Sequence, residues 1–158
     1  MTERHRFPVL VHLLIGSGDR LLLLRRAGTG LFDGCWAPPG GHVEAGESPR
    51  AAALRETFEE VGVALDDHQL VAVGLLHYSG GGGGFNLIFA AELEDQPSPR
   101  FDPSSADAAE WWPRSALPAA RVPWLDTALE RARFGGDAGS AEEQVLSRVG
   151  RPWYVEGH

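Results

Sequence analysis

Lysine is absent from this sequence of 158 residues, and every basic side chain apart from histidine is an arginine. A lysine is required for Schiff-base catalysis and for the phosphate-binding P-loop, so both chemistries are excluded. The run of five glycines from Gly80 to Gly84 is therefore predicted to be a loop tip. Cysteine is scarce as well. With Cys35 alone, the chain has neither an intrachain disulfide nor a cysteine-rich zinc site.

Positive charge is also scarce, since 14 basic residues stand against 22 acidic ones and the formal net charge is −8. Proteins that bind a nucleic acid backbone depend on clustered cations, so we expect no nucleic-acid partner. A small phosphorylated substrate is still compatible with a few arginines or a bound metal. No apolar run approaches the ~18 residues that span a bilayer, and residues 1–6 contain no signal-peptide core. We therefore expect a cytoplasmic protein without a membrane partner.

Alternation of apolar and polar residues predicts most of the regular structure. Strands are expected at Phe7–Ile15, Arg20–Arg26, Leu70–His77, Phe85–Leu93 and Ala109–Trp112. A helix is expected from Ser48, an N-cap residue followed by proline, to Val61, where Gly62 ends it. Two C-terminal helices are expected, at Trp124–Phe134 and Ala141–Val149. The pattern indicates one α/β domain over residues 1–158, with helices on both sides of a sheet.

One face of the first expected helix is acidic. Glu56, Glu59 and Glu60 fall within roughly 100° of one another around the helix axis, and like charges at this spacing repel. Two interpretations stay open from the helix alone: a solvated acidic face, or half of a divalent-cation site completed by substrate phosphates. The opposite face is expected to pack on the sheet through Ala51, Leu54, Phe58 and Val61.

The residues around this helix form a longer spaced pattern. Gly41 is followed after five residues by Glu47, after seven more by Arg55-Glu56, and then by Glu59-Glu60 and Gly62-Val63. This spacing resembles the Nudix box, GX5EX7REUXEEXGU, in which U is a bulky aliphatic residue. The fixed glycines, glutamates and arginine all match. Thr57 stands at one aliphatic position, where we expect a local change of packing and no loss of chemistry.

The resemblance implies a Nudix-type α/β/α sandwich around a mixed β-sheet. It also implies a MutT-like, metal-dependent hydrolase that uses Mg²⁺ or Mn²⁺ and an attacking water. The implied substrate is a nucleoside diphosphate derivative or a related organic pyrophosphate, cleaved at its pyrophosphate linkage. The number of metal ions and the specific substrate stay open. Homodimers are common in the family, so the oligomeric state stays open too.

Site residues follow from the same resemblance. Glu59 and Glu60 are implied as the principal metal ligands, and Glu56 as a further ligand or the general base. The backbone carbonyl of Gly40 is implied as an additional ligand, because a metal-binding carbonyl needs a loop. Arg55 is expected to orient the glutamates within this catalytic group. Structural support of the box is assigned to Gly41, Glu47 and Gly62.

Other assignments have open alternatives. Some members of the family use a distal glutamate as the base, for which Glu92 and Glu110 are candidates. Arg26 resembles a substrate-contacting arginine of MutT-type members, with a solvent-facing arginine as the alternative. Phe32 and Trp36 are either base-stacking or core aromatics.

Two rival functions also stay open. One is a catalytically silent Nudix module that binds and senses a nucleotide. The three glutamates argue against this function, because a protein that only binds a nucleotide gains nothing from carboxylates that repel one another. The other is isoprenoid diphosphate isomerisation, for which the lone Cys35 gives little support.

Overall fold

The computed structural model describes residues 6–79 and 83–132 of the chain. Within them the elements follow the order β1 (Val9–Ser17), β2 (Arg20–Arg26), β3 (Trp36–Ala37), β4 (Gly40–His42), α1 (Pro49–Val61), a 3₁₀ turn (Asp67–Gln69), β5 (Val71–Tyr78), β6 (Gly84–Glu92), β7 (Ala106–Pro113) and α2 (Leu125–Arg131). None of the helices in this part of the chain has the length and apolarity to cross a bilayer.

The five expected strands correspond to β1, β2, β5, β6 and β7, and the helix expected at Ser48–Val61 is α1. The short strands β3 and β4 lie where only a loop was expected. β7 is longer than the strand expected at Ala109–Trp112, because its pairing with β2 extends from Ala106 to Pro113. The helix expected at Trp124–Phe134 is the shorter α2. The helix expected at Ala141–Val149 lies outside the described residues, so the C-terminal part of the expected domain stays a prediction.

The strands form one mixed sheet in which β1 and β2 separate beyond their turn. They pair only from Ile15↔Leu22 to Ser17↔Arg20. Beyond that point β4 pairs with β1, and β3 pairs with β2, so the β3–β4 segment fills the opening between the two strands. On its other edge β1 runs parallel to β6, which pairs with β5. This topology holds Gly40 against the middle of β1.

Two apolar clusters lie on opposite faces of the sheet. In β1 and β2, alternate residues divide between them: Leu13 and Leu22 belong to the cluster that includes α1, whereas Leu14 and Leu21 belong to the cluster that includes α2. A strand buried on both faces has an apolar run in place of alternation, which explains the four consecutive leucines of β2. The molecule is therefore an α/β/α sandwich, as expected.

The packing face of α1 differs from the expected one. Its buried residues are Ala52, Ala53, Thr57 and Val61. Ala51 is exposed, and Phe58 is 52% exposed. Small side chains let the helix approach the sheet, so the phenylalanine lies outside the contact. There the Arg100 guanidinium stacks over the Phe58 ring at 5.4 Å from its centroid.

Candidate active site

Local sequence determines where α1 begins and ends. The Ser48 hydroxyl accepts a hydrogen bond from the Ala51 amide at 3.1 Å, and Pro49 occupies the first turn, where its missing N–H is not needed. Gly62 ends the helix with φ of 74°, and its amide donates to Phe58 O at 3.0 Å. An added Cβ at Gly62 would also collide with the Arg100 side chain. The left-handed backbone is the reason for glycine at this position, because the exposed Arg100 side chain is flexible and can move aside.

Arg55 joins the loop before α1 to the helix itself. Its guanidinium donates to Glu47 Oε1 at 2.7 Å and Oε2 at 3.2 Å, and to the His42 carbonyl at 3.1 Å. Glu47 Oε1 also accepts from the Glu44 amide at 2.7 Å. Hydrogen bonds from Arg55 lower the pKa of Glu47, and the bonds to Glu47 raise the pKa of Arg55. The loop is thus tied to the helix by an ionised pair.

The same guanidinium also contacts two carboxylates of the acidic helix face. Arg55 Nη1 lies 2.9 Å from Glu56 Oε1 and 3.2 Å from Glu59 Oε2. Its positive charge offsets the repulsion between these side chains. Glu56 is 16% exposed and Glu59 57% exposed, so the first is largely enclosed and the second faces solvent.

Glu60 faces the β3–β4 segment. Its Oε2 accepts from the Gly40 amide at 2.8 Å, and burial, followed by the nearby Glu56 charge, raises its pKa to about 7. Pro39 O and Val43 N bond to β1, and backbone groups alternate in direction along a strand. Gly40 therefore directs both its amide and its carbonyl away from β1, toward the side on which Glu60 lies.

Gly41 makes room for the Glu56 carboxylate. A Cβ built on Gly41 would collide with Oε1, Oε2 and Cδ of Glu56. The absence of a side chain at this position creates a cradle lined by carboxylate oxygens. These oxygen donors match the preference of hard cations such as Mg²⁺.

The donors are not preassembled as a closed ligand set. Among residues 6–79 and 83–132, no three His, Cys, Asp or Glu side chains converge as a metal site. Instead Glu56 and Glu59 bond to Arg55, while Glu60 bonds to Gly40. The donor chemistry fits a divalent cation. Glu56, Glu59 and Glu60 all lie on α1 within five consecutive residues.

The two distal glutamates lie away from this group. Glu92 pairs with Arg114 at 2.9 Å and lies opposite Gly16, four residues along β1 from His12, the partner of Gly40. At ~3.3 Å per residue this separation is about 13 Å. Glu110 lies opposite Leu23, on the α2 side of the sheet. Of the three candidate bases, Glu56 alone lies within the cluster around Arg55.

Arg26 supports the loop that follows β2. Its guanidinium donates to Leu31 O at 2.9 Å and to Thr29 Oγ1 at 3.1 Å. The positive charge of Arg26 lowers the pKa of Glu60, so the two side chains interact electrostatically. The bonds that we observe use Nε and Nη2. Within the described residues Arg26 Nη1 donates no hydrogen bond.

The structure places the two candidate stacking aromatics and the cysteine in different environments. Trp36 is 7% exposed and meets the Trp112 ring edge-on at 5.2 Å, so it is a core residue. Phe32 is 44% exposed and has φ of 55°, which is unusual for a residue with a side chain. Cys35 packs against the cluster that includes α2, on the opposite face of the sheet from α1.

Sequence reasoning missed one buried pair beside Gly40. His12 on β1 bonds through Nδ1 to Asn86 Oδ1 on β6 at 2.9 Å, and both residues are buried. Burial lowers the pKa of His12 to about 4. The available signal was a single polar residue inside an otherwise apolar stretch of β1, although nothing local indicates its partner 74 positions away.

Comparison with known proteins agrees with the fold and the box. The NUDIX domain profile matches residues 4–132. An m7GpppN-mRNA hydrolase, NUDT17 of Xenopus laevis, is 42% identical over 67 residues, which cover 41% of this chain and 23% of that protein. The chain thus spans about a quarter of this relative's length.

Two further similarities extend over most of the chain. An isopentenyl-diphosphate Delta-isomerase of Nocardia farcinica is 31% identical over 153 residues, covering 84% of this chain and 85% of that protein. The crystal structure of a MutT NUDIX hydrolase from Burkholderia pseudomallei superposes with a TM-score of 0.72 and 26% identity, covering 81% of this chain and 99% of that one. The chain therefore belongs to the Nudix family.

Proposed function

We propose that this protein hydrolyses the pyrophosphate linkage of a nucleoside diphosphate derivative or a related organic pyrophosphate, with Mg²⁺ or Mn²⁺ as cofactor. The observation that carries the proposal is the cradle at Gly41. There the box brings the Glu56 carboxylate against a residue without a side chain, beside Glu60 and the Gly40 backbone. Glu59, Glu60 and the Gly40 carbonyl would hold the cation, and Glu56 would be either a further ligand or the general base.

A bound divalent cation supplies neutralisation of the phosphate charge and acidity to the attacking water. The protein itself would position the reacting groups and accept the proton of the attacking water. Arg55 holds Glu56 Oε1 at 2.9 Å, which leaves Oε2 either to bind the cation or to accept a proton from water. Glu47 in turn fixes Arg55 through two bonds. In phosphoryl transfer most of the rate enhancement comes from such positioning and from electrostatics.

Arg26 is proposed as a contact for a substrate phosphate. Its Nε and Nη2 bonds to the following loop hold the guanidinium in a defined orientation. A cation held in advance binds an anion at a lower entropic cost than a free side chain does.

The proposed partner is a small nucleotide or pyrophosphate compound. The net charge of −8 disfavours nucleic acid. The scarcity of apolar runs supports a cytoplasmic location. A homodimer and a monomer are both compatible with these features.

The test is a panel of nucleoside diphosphate derivatives incubated with the purified protein and Mg²⁺, with monophosphate products measured. We expect turnover of at least one compound. Glu59→Gln/Glu60→Gln should lower kcat by about a hundredfold or more, because neutral amides are poor cation ligands. The matched control is Glu110→Gln, a change of the same kind on the α2 side, which should leave kcat unchanged. Full activity in the double variant would contradict the ligand assignment.

A second candidate function is isomerisation of an isoprenoid diphosphate. The relative from Nocardia farcinica, aligned over 84% of this chain, favours including it. Against it, the only thiol of the chain packs on the face of the sheet opposite α1. Isopentenyl diphosphate therefore belongs in the substrate panel. Its conversion without release of phosphate would favour the isomerase, and tight nucleotide binding without turnover would favour a sensor module.

A further inference from the structure

A buried histidine lies behind the candidate active site. His12 is 7% exposed in the middle of β1, and an imidazole in such a layer is costly unless it is hydrogen-bonded. Its Nδ1 bonds at 2.9 Å to Oδ1 of Asn86, which is 5% exposed. An amide oxygen only accepts hydrogen bonds, so Nδ1 donates. The bond therefore sets both the tautomer and the orientation of the ring.

The ring is held on a second side by an indole. His12 and Trp124 meet edge to face, with centroids 4.8 Å apart and an interplanar angle of 66°. Trp124 immediately precedes α2, and Asn86 is a diagonal neighbour of His12 across the parallel β1–β6 pair. The imidazole is thus clamped between the sheet and the segment that leads into α2.

The third neighbour of the ring is Gly40. The two residues are paired across β1 and β4, and a Cβ built on Gly40 would lie 2.8 Å from His12 Cδ2. The same Cβ would collide with Val11 O and lie 2.8 Å from His12 Cα, so no side chain fits between Gly40 and this part of β1, the histidine ring included. The Gly40 amide then bonds to Glu60 at 2.8 Å. The Gly40 backbone thus lies between the His12 ring and the Glu60 carboxylate.

We propose that His12 is a positioning residue, whose clamped ring sets the place of the Gly40 backbone relative to the Glu60 carboxylate. This inference rests on the proposed function, in which Gly40 and Glu60 both hold the cation. A backbone carbonyl cannot adjust through a side-chain rotamer. Its position depends on whatever packs behind it. Mg²⁺ and similar ions tolerate little distortion of their ligands, so a flat, rigid support behind Gly40 improves affinity.

Two double variants of the full chain separate the ring from the hydrogen bond. His12→Leu/Asn86→Leu removes the ring, and His12→Phe/Asn86→Leu keeps a flat ring against Gly40. Both remove donor and acceptor together, so neither leaves a buried polar group unpaired. The readouts are the Mn²⁺ dissociation constant measured by calorimetry without substrate, and the thermal unfolding temperature. We expect the leucine variant to bind Mn²⁺ about tenfold more weakly. The phenylalanine variant should stay near the wild-type value.

Each outcome is informative. Absence of Mn²⁺ binding in the wild-type protein would contradict the proposed function itself. Wild-type binding with equal affinity in both variants would overturn only the role of His12. Equal weakening in both would overturn the role of the ring and assign the effect to the bond with Asn86. If the leucine variant lacks a cooperative unfolding transition, Trp124→Leu loosens the clamp from its outer side. It should weaken Mn²⁺ binding, and unchanged affinity would overturn the inference.

Discussion

Thr57 shows how a single position of the box is governed by packing. It is fully buried against the sheet, and its Oγ1 has no hydrogen-bond partner among the described residues. A buried hydroxyl without a partner loses its hydration and gains nothing in return. The departure from the aliphatic pattern therefore affects stability, while the carboxylates on the other face of α1 keep their positions.

Thr57→Val should stabilise the protein, because valine has the same shape and no polar atom. We expect the free energy of unfolding to rise by about 1 kcal/mol, measured by chemical denaturation. Thr127→Val is the matched control, a threonine of α2 that is only half-buried. Its effect should be close to zero. A lower stability for Thr57→Val would show that the hydroxyl is satisfied in the folded protein.

At the scale of the element, the loop and helix of the box act as one unit. Arg55 reaches back to Glu47 and His42 and forward to Glu59, so the guanidinium spans the whole element. Gly41 then allows the loop to approach the helix at Glu56. The fixed spacing of the pattern reflects these contacts, each of which joins residues that are distant along the box.

Gly41→Ala should disrupt this unit without unfolding the chain. The added methyl group displaces the Glu56 carboxylate and breaks its 2.9 Å bond to Arg55. We expect kcat/KM to fall by about tenfold or more with a circular dichroism spectrum unchanged from wild type. Ala45→Ser, a similarly small change at an exposed position of the same loop, is the control. Wild-type activity in Gly41→Ala would mean that the Glu56 position is not critical.

Two buried ionisable groups, His12 and Glu60, make the stability of the whole molecule depend on pH in opposite directions. His12 has a folded pKa of about 4, below its ordinary 6.5, so its contribution is present above pH 6.5 and is lost as pH falls toward 4. Glu60 has a folded pKa of about 7, above its ordinary 4.5, so its contribution is present below pH 4.5 and is lost as pH rises through 7. Arg26 and His42 also act on His12, and both lower its pKa.

The His12 contribution can be isolated by difference. Without metal, we expect the wild-type protein to lose about 3 kcal/mol more stability between pH 7 and pH 4 than His12→Phe/Asn86→Leu does. Urea denaturation in the presence of a chelator at several pH values measures this difference. Parallel pH profiles for the two proteins would show that His12 titrates normally in the folded state.

Cation binding should also stabilise the whole fold, because the ligands come from both β4 and α1. Saturating Mn²⁺ should raise the unfolding temperature of the wild-type protein, since a ligand that binds only the folded state shifts the equilibrium toward it. Thermal denaturation followed by circular dichroism measures the shift. Glu59→Gln/Glu60→Gln should show little or no shift, whereas Glu110→Gln should behave like wild type. An equal shift in all three proteins would place the cation elsewhere.

Local sequence predicted the bounds of α1, the residues of the box and five of the seven strands in the described residues, but not the short strands β3 and β4. The helix caps at Ser48 and Gly62 form hydrogen bonds to residues three or four positions away, so local sequence is sufficient to predict them. Alternation and the four-leucine run of β2 likewise depend only on neighbouring positions. The acidic face follows from helix periodicity, and the family of the chain from the spacing of the box.

The packing side of α1 could not be predicted from local sequence, because it depends on how closely the sheet approaches and on Arg100 covering Phe58. The tertiary structure also separated Glu92 and Glu110 from Glu56, since the strand order sets those distances. The His12–Asn86 bond has the same origin. It joins residues on two strands that are 74 positions apart in the chain, and no local sequence pattern predicts such a contact.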